Sequence, residues 1–331
     1  MAKLILIGFL IAFAEAGFAS TYKINLIKQW SLAADSRVAK KKIGGLSGCV
    51  VEGDKIYFVT DDRGGQGGSR IISFPFNHET NELNLTKPDI LKIRYSPRVL
   101  DLEGIGRHSN GQMLLSSEGD LNQKPRVMPE IFWVNNAGDK VSAIEFPKEF
   151  LPEKSGQQTR GVQNNLAFEG LVVDNDKKMW AAILEAPLFQ SPGMLKLVQS
   201  DLSSKKFDRI FNYPQPADIN QDNISGYFGA TDLLFLDQST FMVLERGVEV
   251  SMQGFRYRTQ LCVATKGDGV QLSRQCPYSM NSDDKITSSY PMGANFEGLC
   301  WVNKQKKLFL AVSDNNFSKN EKTVFILYQL H

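Results

Sequence analysis

One short pattern recurs five times along this chain, and a chain that repeats a hairpin at long, even intervals has few folds open to it. The copies are GLSGCVVEGDKIYFVTDD from Gly45, DLEGIGRHSNGQMLLSSEGD from Asp101, AFEGLVVDNDKKMWAAILEA from Ala167, ATDLLFLDQSTFMVLERG from Ala230 and NFEGLCWVNKQKKLFLAVSDNN from Asn295. Each reads as an apolar strand, a polar turn and a second apolar strand ending in acid. Measured from Ser47, Glu103, Glu169, Asp232 and Glu297, the intervals are 56, 66, 63 and 65 residues, which suits a propeller blade with generous loops. Runs such as RIISFPF, EIFWVNN, KVSAIEF, MLKLVQS and FDRIFNY supply the outer strands, and helical periodicity is scarce. Only one strand, Thr323 to Leu330, follows the last hairpin, while an unpaired strand, Tyr22 to Trp30, precedes the first. The sequence therefore predicts an all-β, five-bladed β-propeller whose ring is closed by the N-terminal strand in the last blade. A sixth blade would have to hide in Pro147 to Asn165, where EKSGQQTRGVQNN reads as a loop.

The first residues stand outside this scheme. Lys3 precedes the apolar run Leu4 to Ala14, too short to span a bilayer, and small residues follow in AEAG and GFAS. Residues 1–19 are expected to be a signal peptide, cut after Ala16 or Ala19, leaving 20–331 as one exported domain without a membrane span. Four cysteines fit an oxidising compartment. Cys262 and Cys276 flank a hairpin with a GDG turn, so a local disulfide is expected there. Cys49 and Cys300 each lie in an apolar strand and are equally compatible with a bridge or two buried thiols.

A net charge of +2 gives no reason to expect nucleic acid or an anionic membrane as partner. Three histidines, at 78, 108 and 331, nearly exclude imidazole metal centres. GLSGC around Ser47 lacks the second glycine of a nucleophile elbow, and RGGQGG after Asp62 lacks the strand-to-helix setting of a P-loop. Chemistry must lean on carboxylates and arginines.

In a propeller the first strand of each blade starts on the face where the second ends, so two acidic rings can meet at one channel mouth. One comprises Glu103, Glu169, Asp232 and Glu297, with Ser47 in the first-blade place. The other comprises Asp61, Asp62, Glu118, Glu185, Glu245 and Asp314. So many acids repel unless compensated. Calcium is the natural metal for an oxygen-rich, histidine-poor mouth, with Asp61, Asp62, Glu118, Asp232, Asp314 and Asn315 as candidate ligands. Arg63, Arg98 and Arg246 adjoin the acids and could hold an anion or pair with them. The structural alternative is that each acid before glycine fastens one blade to the next through backbone hydrogen bonds.

The residues that recur also carry a family resemblance. VTDDRG, DLEGI, Glu118, NLAFEGL, LERG and NFEGLCW followed by LAVSDNNF, from about Gly44 to Phe317, make the chain similar to the phytase-like proteins described as having esterase-like activity of phytase. The resemblance implies an exported β-propeller, and a periplasmic or secreted location. The expected function is a calcium-assisted hydrolase of phosphate or other anionic esters, with Glu103, Glu169 and Glu297 as catalytic residues and a monomer taking a small anionic substrate. The alternative is a non-catalytic propeller whose mouth binds a ligand or partner.

Overall fold

The computed structural model describes residues 22–63, 65, 67–95, 100–216, 219–221, 224–252, 254–280, 289–290 and 293–331. The expected signal peptide and Arg98 lie outside them.

Five antiparallel sheets form five blades. From the inside outwards, blade 1 runs Leu46–Glu52, Lys55–Thr60 and Arg70–Asn77, with Glu82–Leu83 and Asp89–Lys92 both on its outer edge. Blade 2 runs Leu102–Arg107, Met113–Ser117, Glu130–Val134 and Lys140–Ala143, and blade 3 runs Phe168–Asp174, Met179–Leu184, Met194–Asp201 and Arg209–Pro214. Blade 4 has the longest strands, Ile224–Phe235, Thr240–Ser251, Gly254–Lys266 and Leu272–Ser279, with Ile219–Gln221 added beside the start of the first. Blade 5 runs Asn295–Asn303, Leu308–Asp314 and Thr323–Leu330, and its outermost strand is the N-terminal Ile24–Leu32. That strand pairs from Ile24 opposite Leu330 to Leu32 opposite Thr323, the closure the sequence predicts. The five inner strands neighbour one another in order, the fifth against the first.

Between the blades lie five apolar clusters, one per interface. Blade 1 meets blade 5 through Phe58, Phe74 and Phe325, whose rings pack edge-to-face with centroids 5.4 to 6.0 Å apart. The second strand of blade 5 shows why the strands read as unbroken apolar runs. Leu308, Leu310 and Val312 face blade 1, whereas the alternating Phe309 and Ala311 face blade 4. A strand sandwiched between two sheets has no solvent face and needs no polar alternation.

Residues 147–165 hold no sixth blade. They form a 3-10 turn at Lys148–Phe150 and a loop pinned by Arg126, which donates to the carbonyls of Glu153 and Gly156 at 2.6 Å each. Cys262 and Cys276 are bonded across the two outer strands of blade 4, and Cys49 and Cys300 are bonded between the inner strands of blades 1 and 5. Among the described residues no helix is long and apolar enough to cross a membrane.

The glycine of each EG pair lets inner strands approach. A Cβ on Gly298 would stand 2.4 Å from the Ser47 carbonyl, one on Gly48 2.6 Å from the Glu103 carbonyl, and one on Gly104 2.8 Å from that of Glu169. Gly298→Ala should therefore lower stability by about 1–3 kcal/mol through overpacking. Urea unfolding checks this, and an unchanged midpoint would show that the ring spreads without cost.

Candidate functional site

The acids reach the channel mouth because each inner strand carries a β-bulge there, and a bulge re-aims a side chain. The extra residue is Glu169 in blade 3, Glu297 in blade 5 and Thr231 in blade 4; in blades 1 and 2 it falls within Ser47–Gly48 and Glu103–Gly104. Two residues before the bulge, the facing position on the second strand is Asp61, Glu118, Glu185 and Asp314, and in blade 4 Arg246, where the strand runs on to Ser251.

Blade 4 thus corrects the sequence alignment by one residue. Asp232 occupies the place of the EG glycine and Thr231 that of the acid. A one-residue slip turns every side chain to the other face. Asp232 accordingly points between blades, where its carboxylate accepts the Leu299 N–H at 2.6 Å and the Leu233 N–H at 2.8 Å; burial raises its proton affinity and these donors oppose the rise. This is the fastening role, not a place at the mouth. The same slip removes Glu245 from the mouth. It accepts from Tyr213 of blade 3 and from Gln260 and the Arg274 fork of its own blade, at 2.5–2.6 Å.

Two further expected ligands are also turned elsewhere. Asp62 pairs with the fully buried Arg70. Asn315 accepts the N–H groups of Gly45 and Phe317 through Oδ1, bracing the entry to blade 1. Asp314 accepts the Asn316 N–H through Oδ1, and burial, then the charge of Glu297, push it well above the carboxylate range.

What remains is a cavity of about 310 Å³ whose acids are Asp61, Glu103, Glu118, Glu169, Glu185 and Glu297, with Arg246 among them. Arg246 donates to Glu297 Oε1 at 2.8 Å and lies 3.4 Å from Glu185 Oε1. Burial works against its charge, but Glu185, Glu297 and Glu169 hold it protonated beyond its ordinary range. Arg63 flanks the cavity at 47% exposure and donates to Asp101 Oδ2 at 2.7 Å. Both arginines are therefore already engaged with carboxylates.

Oxygens of Asp61, Asp101 and Glu103 lie within 4.8 Å of one another, as do those of Glu103, Glu118 and Glu169, so Glu103 belongs to both triads. Burial, and then the mutual repulsion of these groups, pushes Glu103, Glu118 and Glu169 well above the carboxylate range; burial and Asp101 push Asp61 up to about 10. Among the described residues no N–H or hydroxyl donor reaches the buried Asp101 Oδ1 and Glu169 Oε2. Their neighbours are carboxyls, Asp61 and Glu185 respectively, and such pairs are reconciled only by a shared proton or a cation. Oxygen-only donors in this density suit a hard divalent ion.

Sequence reasoning missed Asp101, although it opens the DLEG copy, and the tyrosines Tyr227 and Tyr257 that line the cavity from blade 4. Aligning the copies on the bulge, with ATDL shifted by one, would have placed Arg246 in the ring.

Solved structures share the fold at low identity. A xylan β-1,4-xylosidase from Bacillus halodurans C-125 superposes with a TM-score of 0.50 at 11% identity over 88% of this chain and 54% of its own. The Bacteroides ovatus xyloglucan PUL GH43B protein does so with 0.50 at 10% identity over 90% and 54%; the chain thus spans about half the length of either. The catalytic domain of a Coprinopsis cinerea GH62 α-L-arabinofuranosidase gives 0.45 at 12% identity over 91% and 97%. No curated protein matches the chain. The family pattern described as "Phytase-like: Esterase-like activity of phytase" matches residues 41–317, from the entry to blade 1 to the end of the second strand of blade 5 and just beyond, and so takes in every acid of the mouth; the chain belongs to that family.

Proposed function

We propose that the mouth is the active site of a calcium-assisted hydrolase of phosphate or other anionic esters. The observation that carries the reading is the pair of carboxylate triads sharing Glu103, with buried oxygens on Asp101 and Glu169 that no donor among the described residues satisfies. Asp61, Asp101, Glu103, Glu118 and Glu169 would hold the ion. When bound, calcium supplies charge neutralisation and Lewis acidity toward the ester. Because Arg246 is fixed between Glu185 and Glu297, it positions those two acids and leaves anion binding to the cation and to the half-exposed Arg63. Glu169, ionised beside the bound ion, would accept the proton of the attacking water and return it to the leaving alkoxide. Export belongs to the same reading, supported by the two disulfides.

Melting and turnover with calcium and with chelator test this. Calcium at about a hundredfold over its Kd should add about 2.7 kcal/mol of stability. Turnover of an aryl phosphate or an aryl ester should appear only with the ion, and Glu103→Gln should lose both effects. No calcium shift overturns the metal assignment. A calcium shift without turnover of phytate or any simple ester makes the mouth a ligand-binding site.

A further inference from the structure

Three strands of blade 4 continue past the ring position of Arg246. Paired residues run on from Gly229 opposite Arg246 to Ile224 opposite Ser251, and from Arg246 opposite Thr259 to Ser251 opposite Gly254. The extension stands over the mouth as a small sheet of its own.

Its two faces differ. Directly paired residues share a face, and one face carries Tyr227, Val248 and Tyr257 in a single row, all three lining the acidic cavity. The next row outward on that face is Val250 opposite Phe255, about 7 Å further along the strands. Phe255 and Tyr257 touch edge-to-face at 5.6 Å, which makes the surface continuous. Val250 is 53% exposed and Phe255 45%, and Met252 beyond them is 91% exposed. The opposite face is charged. Glu249 pairs with Arg256 in register and accepts from Arg258 Nε at 2.8 Å.

An apolar strip that starts inside the acidic cavity, rises out of it and is backed by a charged face is shaped for a molecule with one polar and one apolar end. We propose that the extension is a substrate subsite and that the protein acts on amphiphilic esters, whose polar head enters the mouth while an acyl or aryl group lies on Tyr257, Val248, Val250 and Phe255. The inference rests on the mouth being the ester site, and adds to it that a uniformly polar polyphosphate is not the matching substrate. Burying two large apolar side chains against such a group accounts for an affinity gain of tenfold or more.

Calorimetry with methyl phosphate and octyl phosphate, both below micelle formation and with calcium present, tests it. Octyl phosphate should bind at least tenfold tighter than methyl phosphate. The double variant Val250→Ser with Phe255→Ser should lose that gain and keep the methyl phosphate affinity, whereas Arg256→Ser on the other face should change neither. Equal affinities, or no octyl phosphate binding, overturn the proposal. A chain-length gain that persists in chelator upholds the subsite while removing calcium from the reading above. If the double variant instead abolishes dimerisation in sedimentation or binding to lipid vesicles, with no chain-length effect in the wild type, the strip covers a second copy or a membrane and the proposal is wrong. Equal melting temperatures of variant and wild type keep the comparison sound.

Discussion

Replacing Cys49 and Cys300 together by serine is expected to cost about 5 kcal/mol of stability, the loop-closure value for a bond joining residues 251 positions apart. The same substitution at Cys262 and Cys276, 14 positions apart, should cost about 3 kcal/mol. The two bonds also differ in what they hold. The local one staples a hairpin already paired by its own ladder. The long one ties the inner strands of the first and last blades, at the junction where the ring closes and which the chain itself crosses only at the rim, between Leu32 and Leu46. Urea unfolding of both double variants, without reductant, gives the comparison. A smaller loss at Cys49 and Cys300 than at Cys262 and Cys276 would mean that the apolar interface of blades 1 and 5 closes the ring unaided.

How much of this could be read from the sequence depended on whether a feature repeats. The bulge strands, the turns and the ring closure recur or follow by counting, and they were legible because each blade had to solve the same packing problem. The mouth was half legible. Glu103, Glu169 and Glu297 stand where their repeats put them, but Asp232 and Glu245 do not. A slip of one residue in a β-strand leaves composition and spacing almost unchanged while reversing every side chain, so an alignment made on chemical likeness, acid with acid, chose the wrong register. Pairings such as Asp62 with Arg70 inside blade 1, or Asp101 with Arg63 between blades 2 and 1, depend on side-chain directions at strand ends that no periodicity fixes.

Arg246→Met is expected to destabilise the chelated protein by about 3–5 kcal/mol at pH 8, since it leaves Glu185 and Glu297 buried without their cation. The loss should depend on pH in a definite direction. Burial raises both glutamates and Arg246 opposes the rise; without it their folded pKa values move further above the unfolded one. A carboxyl raised in this way contributes stability that is fully present below its unfolded value of about 4.5 and lost as pH climbs through its folded value. The variant should therefore come close to the wild type at pH 4.5 and fall behind steadily toward pH 8. Thermal melts in chelator across that range decide the matter. A deficit that is constant with pH would mean that Arg246 contributes packing rather than charge.

The strand at Ile24–Leu32 finds its partner only at Thr323–Leu330, almost the whole chain away. In synthesis from the N-terminus this strand, made before those of the five inner hairpins, is therefore among the last to be paired. Until then it offers an open hydrogen-bonding edge, because the three inner strands of blade 5 come from residues 295–330. Contacts of such range form slowly, because the entropy of closing the loop comes before any reward. The interval between the emergence of Ile24 and that of Leu330 is when this chain is most open to pairing with the wrong neighbour, another copy of itself included. A ring whose seam is shut in its finished state is thus reached through a precursor in which that seam stands open on both sides.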